Sequence, residues 1–216
     1  NTILAIMNKI YNNNSILRHN WTSEEAKSII DQPLLDLLFK SQTIHRSNFP
    51  KNEIQKSKLL SIKTGSCPED CSYCSQSAHH NVDLKKEPLI SLGEVVKAAE
   101  DAVKEGATRF CMGAAWRGPT DKNIDQVCEM VEAVNGLGLE SCVTLGMLKE
   151  GHAEKLAKSG LNYYNHNIDT SEEFYKSIIT TRNFSDRIDT LEKVRNAGVK
   201  VCSGGIIGMG ETRYDR

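Results

Sequence analysis

No apolar run in this sequence approaches the roughly 20 residues that a membrane-spanning helix needs. A charge excess is also missing: 27 Lys and Arg stand against 28 Asp and Glu, a formal net of −1. Neither a bilayer nor nucleic acid is therefore an expected partner. No secretory signal is visible, and the seven cysteines are an odd set in a chain of 216 residues. That argues against a disulfide framework and for thiols in a reducing compartment. The first 22 residues contain no Asp or Glu and include Lys9 and Arg18. A mitochondrial transit peptide shares that lack, but this stretch is rich in Asn and poor in Arg and Ser. Residues 1–20 are read as a poorly ordered or loosely helical extension of a cytoplasmic protein. A mitochondrial address is the alternative, and Met7 is a candidate start.

What is present begins at Trp21. Thr22 followed by Glu25 forms a capping box, which predicts a helix to about Asp31. A second helix is predicted from Pro33 to Phe49, with Leu34, Leu35, Leu37 and Leu38 as its apolar face. Together these make a helical segment over 21–58. A β-like run, Lys58 to Thr64, then opens a second region, 59–216.

There a unit repeats: a helical stretch, a Gly, a short strand. The joints are Gly106 before Arg109-Phe110-Cys111, Gly136 and Gly138 before Glu140-Ser141-Cys142, Gly160 before Tyr163-Tyr164, and Gly198 before Lys200-Val201-Cys202. Each Gly suits the left-handed position just past a helix end. Strand and helix alternating through short joints predict parallel β/α architecture, a TIM-type (β/α) barrel preceded by N-terminal helices. Five strands are counted. A full barrel takes about 250 residues, so the chain is expected to stop after about five β/α units.

Strand alternation places residues two apart on one face. Arg109 and Cys111 share a face, as do Glu140, Cys142 and Thr144. So do Tyr163, Asn165, Asn167 and Asp169, and likewise Lys200, Cys202 and Gly204. A barrel interior is ordinarily filled with branched apolar side chains. Burying these polar groups without partners costs about 1–3 kcal/mol each, so a metal cluster and polar ligands are the expected partners.

Cys67-Pro68-Glu69-Asp70-Cys71-Ser72-Tyr73-Cys74 comes directly after the first strand, at the ligand-bearing end of such a barrel. Its C-x3-C-x2-C spacing lets three thiolates converge on one soft metal site. Three ligands leave one iron of a cubane free to chelate a small molecule. A zinc site completed by His79 or His80 is the competing reading; otherwise those two are loop histidines. Cys128 lies in a helical pattern and is predicted to bind no metal.

The three-cysteine loop with an aromatic before its last Cys resembles the radical S-adenosylmethionine (radical SAM) superfamily. Within it, the text from Leu59 through Ser75-Gln76-Ser77 is similar to the biotin synthase family. So are Arg109 to Trp116, Tyr163 to Asp169 and Cys202-Ser203-Gly204-Gly205. The resemblance runs from about Trp21 to the last residue, and Ala78-His79-His80 departs from it.

The resemblance implies a 4Fe–4S cluster on Cys67, Cys71 and Cys74 that cleaves S-adenosylmethionine. It implies a second, 2Fe–2S cluster on Cys111, Cys142 and Cys202 that donates sulfur. The fourth ligand of that cluster, an Arg in the family, is expected beyond Arg216; Arg109 lies near without replacing it. Tyr73, Asn165, Asp169, Arg187 and Ile206 are implied to contact S-adenosylmethionine, with Asn167 between it and dethiobiotin. Without the resemblance, Arg187 reads as a solvated helix charge and the Gly204 to Gly210 stretch as an ordinary turn. Implied partners are dethiobiotin, an external one-electron reductant of flavodoxin or ferredoxin type, and a second copy of the chain in a homodimer. The alternatives are another sulfur-inserting radical SAM enzyme, or a truncated, inactive iron–sulfur or zinc-binding remnant. The absence of any cysteine before Cys67 counts against a lipoyl synthase.

Overall fold

The computed structural model describes residues 20–50 and 52–216. The extension read over residues 1–20 therefore lies, but for Asn20, outside the described residues. Two compact units divide between Glu53 and Ile54, five residues earlier than the sequence reading placed the boundary.

The first unit carries α1 (Ser23–Ile30) and α2 (Leu34–Asn48). The capping box forms as expected: Glu25 N donates to Thr22 Oγ1 at 3.2 Å, and Thr22 N to Glu25 Oε2 at 3.0 Å. The four-leucine face of α2 is not a packed one. Neither helix contains a buried residue, and Leu34 and Leu35 are 70% and 77% exposed. Periodicity located the helix correctly, but among the described residues of its own unit that face has nothing to bury against.

The second unit is a parallel sheet of β1 (Ser57–Lys63), β2 (Arg109–Ala114), β3 (Glu140–Thr144), β4 (Tyr163–Asn165) and β5 (Lys200–Cys202). The strands pair in chain order, so β1 and β5 are the edges. The connecting helices are α3 (Leu92–Lys104), α4 (Asp121–Gly136), α5 (His152–Lys158), the one-turn α6 (Glu172–Tyr175) and α7 (Phe184–Asn196). Capping boxes start three of them: Ser91 with Glu94, Thr120 with Asn123, and Asn183 with Asp186. Gly106, Gly138, Gly160 and Gly198 all take left-handed φ, between 78° and 85°, one residue past a helix cap. Gly136 instead closes α4 from within.

The outward face of the sheet forms the core. Phe110, Met112, Val143 and Tyr164 are fully buried against Val95, Ala99 and Ala102 of α3, Ile124, Val127, Met130, Val131 and Val134 of α4, and Leu156 of α5. Each large apolar side chain so buried contributes about 1.5–3 kcal/mol. The other face is the polar one, and the register aligns it. Leu59 pairs with Cys111, Cys111 with Cys142, Cys142 with Tyr163, and Asn165 with Cys202.

β4 ends sooner than the alternation suggested. Past Asn165 the chain leaves the ladder, and Asp169 adopts a left-handed φ of 67°. The segment stays beside β5 and the glycines after it. His166 N donates to Cys202 O at 2.9 Å, Ile168 N to Gly204 O at 3.1 Å, and Ile206 N to Asp169 O at 2.7 Å. Asn167 and Asp169 thus reach the site from a loop, not from a strand face.

Candidate active site

The loop after β1 is closed on itself. Cys67 N donates to Gln76 O at 2.9 Å, Ala78 N to Cys67 O at 2.8 Å, and Gly65 N to Gln76 Oε1 at 2.6 Å. The Nε2 atoms of His79 and His80 lie 3.0 Å from Pro68 O and 2.8 Å from Cys71 O, bracing the loop backbone. Cys67 and Cys71 are buried, Cys74 half-buried, and none is in a disulfide. Burial pushes the Cys67 and Cys71 thiols up, and at Cys71 the Arg182 guanidinium opposes it. Loading a soft metal there releases protons.

The loop is fastened from below by residues 178–182. Ser72 N donates to Ile178 O at 3.0 Å. Asp70 Oδ1 accepts from Thr180 N at 2.9 Å and Thr181 N at 3.2 Å, and Thr180 Oγ1 bonds Oδ2. Although burial acts the other way, these bonds hold the Asp70 carboxyl far below the usual carboxylate range. Buried Glu69 pairs with Arg182 at 3.0 Å and Arg117 at 2.9 Å, and accepts from Thr181 Oγ1.

All three cysteines open onto one cavity of about 320 Å³, lined also by Lys63, Tyr73, Trp116, Asn165, His166, Asn167, Asp169, Arg182 and Arg187. That volume suits a small molecule. Asp169 is its buried hub. Arg187 Nη2 lies 3.0 Å from Asp169 Oδ2 and Arg182 Nη2 3.6 Å from it. Tyr73 is 41% exposed, yet burial of its hydroxyl and the neighbouring Asp169 carboxylate push that hydroxyl well above its usual range. Arg187 is thus no solvated charge. Ile206 is tied to the site by its backbone: its N donates to Asp169 O at 2.7 Å.

The second thiol set sits lower in the sheet. Cys142 is buried, and Cys111 and Cys202 are half-buried. The bond between Cys111 and Cys142 pulls the Cys111 thiol down against its burial, with Arg109 helping, while that bond and burial push Cys142 up. Arg109 itself turns to Glu140, at 3.1 and 2.8 Å, and lies over the Tyr163 ring at 3.7 Å. Asn165 joins the two regions: it lines the cavity, and its Nδ2 is 3.5 Å from Cys202 Sγ. Cys128 packs against the helical side of the core, away from both sets.

Among the described residues, no three His, Cys, Asp or Glu side chains gather closely enough to ligate a single ion. A cubane places its ligand sulfurs on separate irons, farther apart than the ligands of one zinc. Glu69, Asp70, His166, Thr181 and Arg182 were not singled out from the sequence. Only Glu69 and Asp70, paired acids between Cys67 and Cys71, carry a local signal.

Three free thiols at the C-terminal end of a first parallel strand, facing a shared cavity, define a radical SAM site. The Radical SAM superfamily profile matches residues 61–216, and the chain belongs to that superfamily. The superfamily works with a 4Fe–4S cluster and S-adenosylmethionine, and the donor set and cavity fit both. Within it, the chain is 57% identical over 204 residues to the biotin synthase of Psychromonas ingrahamii, covering 94% of this chain and 58% of that protein. It is 58% identical over 202 residues to that of Thioalkalivibrio sulfidiphilus, covering 94% and 59%. For Rickettsia felis biotin synthase the identity is 60% over 196 residues, covering 91% and 63%. The chain therefore spans about three fifths of the curated relatives it matches. Among solved structures, methylornithine synthase (PylB) superposes with a TM-score of 0.73 at 16% identity, over 90% of this chain and 58% of that one. The hydrogenase maturase HydG from Carboxydothermus hydrogenoformans gives 0.75 at 20% identity, over 99% and 50%. At such identities these two speak for the fold alone.

Proposed function

We propose that this chain is biotin synthase barrel sequence and that its site serves sulfur insertion into dethiobiotin. The carrying observation is Asn165, which spans the cavity of the three-cysteine loop and the thiol of Cys202. In this reading Cys67, Cys71 and Cys74 hold the 4Fe–4S cluster, and Cys111, Cys142 and Cys202 hold a 2Fe–2S cluster. When bound, these groups supply an electron for cleaving S-adenosylmethionine and the sulfur that the substrate takes up.

The chain's own residues do the rest. Arg187, held by Asp169, presents a fixed cation for a carboxylate. Tyr73 flanks the same position. Asn165 and Asn167 offer amides that both donate and accept, matching a ureido ring or a ribose. Trp116 and the lower strands exclude water from a reaction in which it would quench intermediates. A flavodoxin- or ferredoxin-type reductant and a homodimer complete the proposal.

Anaerobic reconstitution with iron and sulfide, followed by reduction and addition of S-adenosylmethionine and dethiobiotin, tests it. The expected products are 5′-deoxyadenosine and biotin, with Cys142→Ala losing the iron equivalent of one 2Fe–2S cluster. Stoichiometric zinc with no iron, or intact cluster absorbance with no 5′-deoxyadenosine, overturns it.

A further inference from the structure

We infer that Arg182 is a positioning and tuning residue for the three-cysteine loop, hydrogen-bonding the Cys71 sulfur so that the bound cluster accepts an electron more readily. The inference rests on the cluster reading of that loop. Arg182 lies in a loop between α6 and α7, only 7% exposed. Its Nη2 is 3.2 Å from Cys71 Sγ. The other nitrogens are fixed elsewhere: Nη1 lies 3.0 Å from Glu69 Oε2, and Nε donates to Tyr175 Oη at 2.9 Å. Three anchors on one planar fork over-determine its orientation, so it cannot swing from the sulfur without breaking two other contacts.

Charge matching gives the direction of the effect. The buried carboxylates Glu69 and Asp169 are matched by buried Arg182 and half-buried Arg187, and Arg182 is the cation in contact with the Cys71 sulfur, so negative charge added there meets it first. Hydrogen bonds to cluster sulfurs are among the terms that set the potential, and burial strengthens this one. A residue that merely tied the loop down would alter cluster retention without this bias.

The test is a redox titration of the full chain, reconstituted with iron and sulfide and reduced stepwise with dithionite. The paramagnetic signal monitored is the one that Cys71→Ala abolishes. Arg182→Gln is expected to move the midpoint to more negative potential, and Arg182→Lys, which keeps the charge but not the fork, to move it less. Glu69→Gln, which leaves Arg182 and removes a nearby negative charge, is expected to leave the midpoint unchanged or raise it. A wild-type midpoint in loaded Arg182→Gln or Arg182→Lys overturns the inference. So does a Glu69→Gln shift in the negative direction, which would report loop loosening alone. Loss of iron from both Arg182 variants while Glu69→Gln loads normally also overturns it, since a tuning residue is dispensable for assembly. Failure of the wild-type chain to take up iron would instead bring down the cluster reading beneath it.

Discussion

Arg187 Nη1 lies 3.2 Å from Nδ1 of His166, inside the cavity wall. A guanidinium only donates, so the imidazole must present a lone pair and stay neutral. Burial, with Arg187 and Arg182 adding to it, pushes His166 down to about 2. Below about pH 6.5 the unfolded chain protonates this histidine and the folded chain does not. Stability is therefore unaffected above that pH and lost as pH falls below it, continuing toward pH 2. The slope approaches about 1.4 kcal/mol per pH unit. Metal-free wild type and His166→Gln, unfolded in denaturant at pH 7 and pH 5.5, should differ by about 1.4 kcal/mol in their loss over that interval. Equal losses would show that His166 is already protonated in the fold.

Gly146 lies just after β3 with a left-handed φ of 83°, and its carbonyl accepts from Tyr164 Oη at 2.6 Å. A Cβ there would stand 2.4 Å from Arg117 O and 2.6 Å from Trp116 O, both backbone atoms that cannot easily move. Gly146→Ala should cost at least about 2 kcal/mol, combining the left-handed penalty with the clash. Gly93→Ala in α3 meets nothing within 4 Å and should gain about 0.5–1 kcal/mol. Thermal unfolding of the pair checks the sign of each.

Asp70 joins the cysteine loop to Thr180 and Thr181. Asp70→Ala strands those donors and should cost about 1–3 kcal/mol. Because it frees the loop that carries the three proposed cluster cysteines, iron should also pass to a chelator faster than from the reconstituted wild type. Cys128→Ala, altered in the helical layer, should release iron at the wild-type rate. A faster release from Cys128→Ala would place that thiol among the ligands.

The sheet was legible because its signals are local or strictly periodic. One glycine past each helix marked the joints at Gly106, Gly138, Gly160 and Gly198. Alternation within β2 and β3 put Cys111 and Cys142 on the same inward face. What escaped depends on contacts distant in sequence. Arg182 and Cys71 are 111 positions apart, and nothing around Arg182 marks it as buried. The turn of Asp169 out of its strand escaped for the same reason, since Arg187 and the backbone beyond β5 that hold it are brought in by other elements. Ile206 was brought in by resemblance alone; what the structure gives it is the backbone bond to Asp169.

The in-register pairing of Leu59, Cys111, Cys142 and Tyr163 gives these strands a parity, with alternate steps facing helices and interior. Both faces are committed, one to Phe110 and Met112 and the other to Arg109 and Cys111. A single inserted or deleted residue in β2 would exchange the two sets, sending thiols into oil and a phenyl ring into the polar interior. Two-residue changes preserve the parity and shift only depth. The sheet therefore tolerates substitution far better than frame slippage, and variation in strand length should come in pairs.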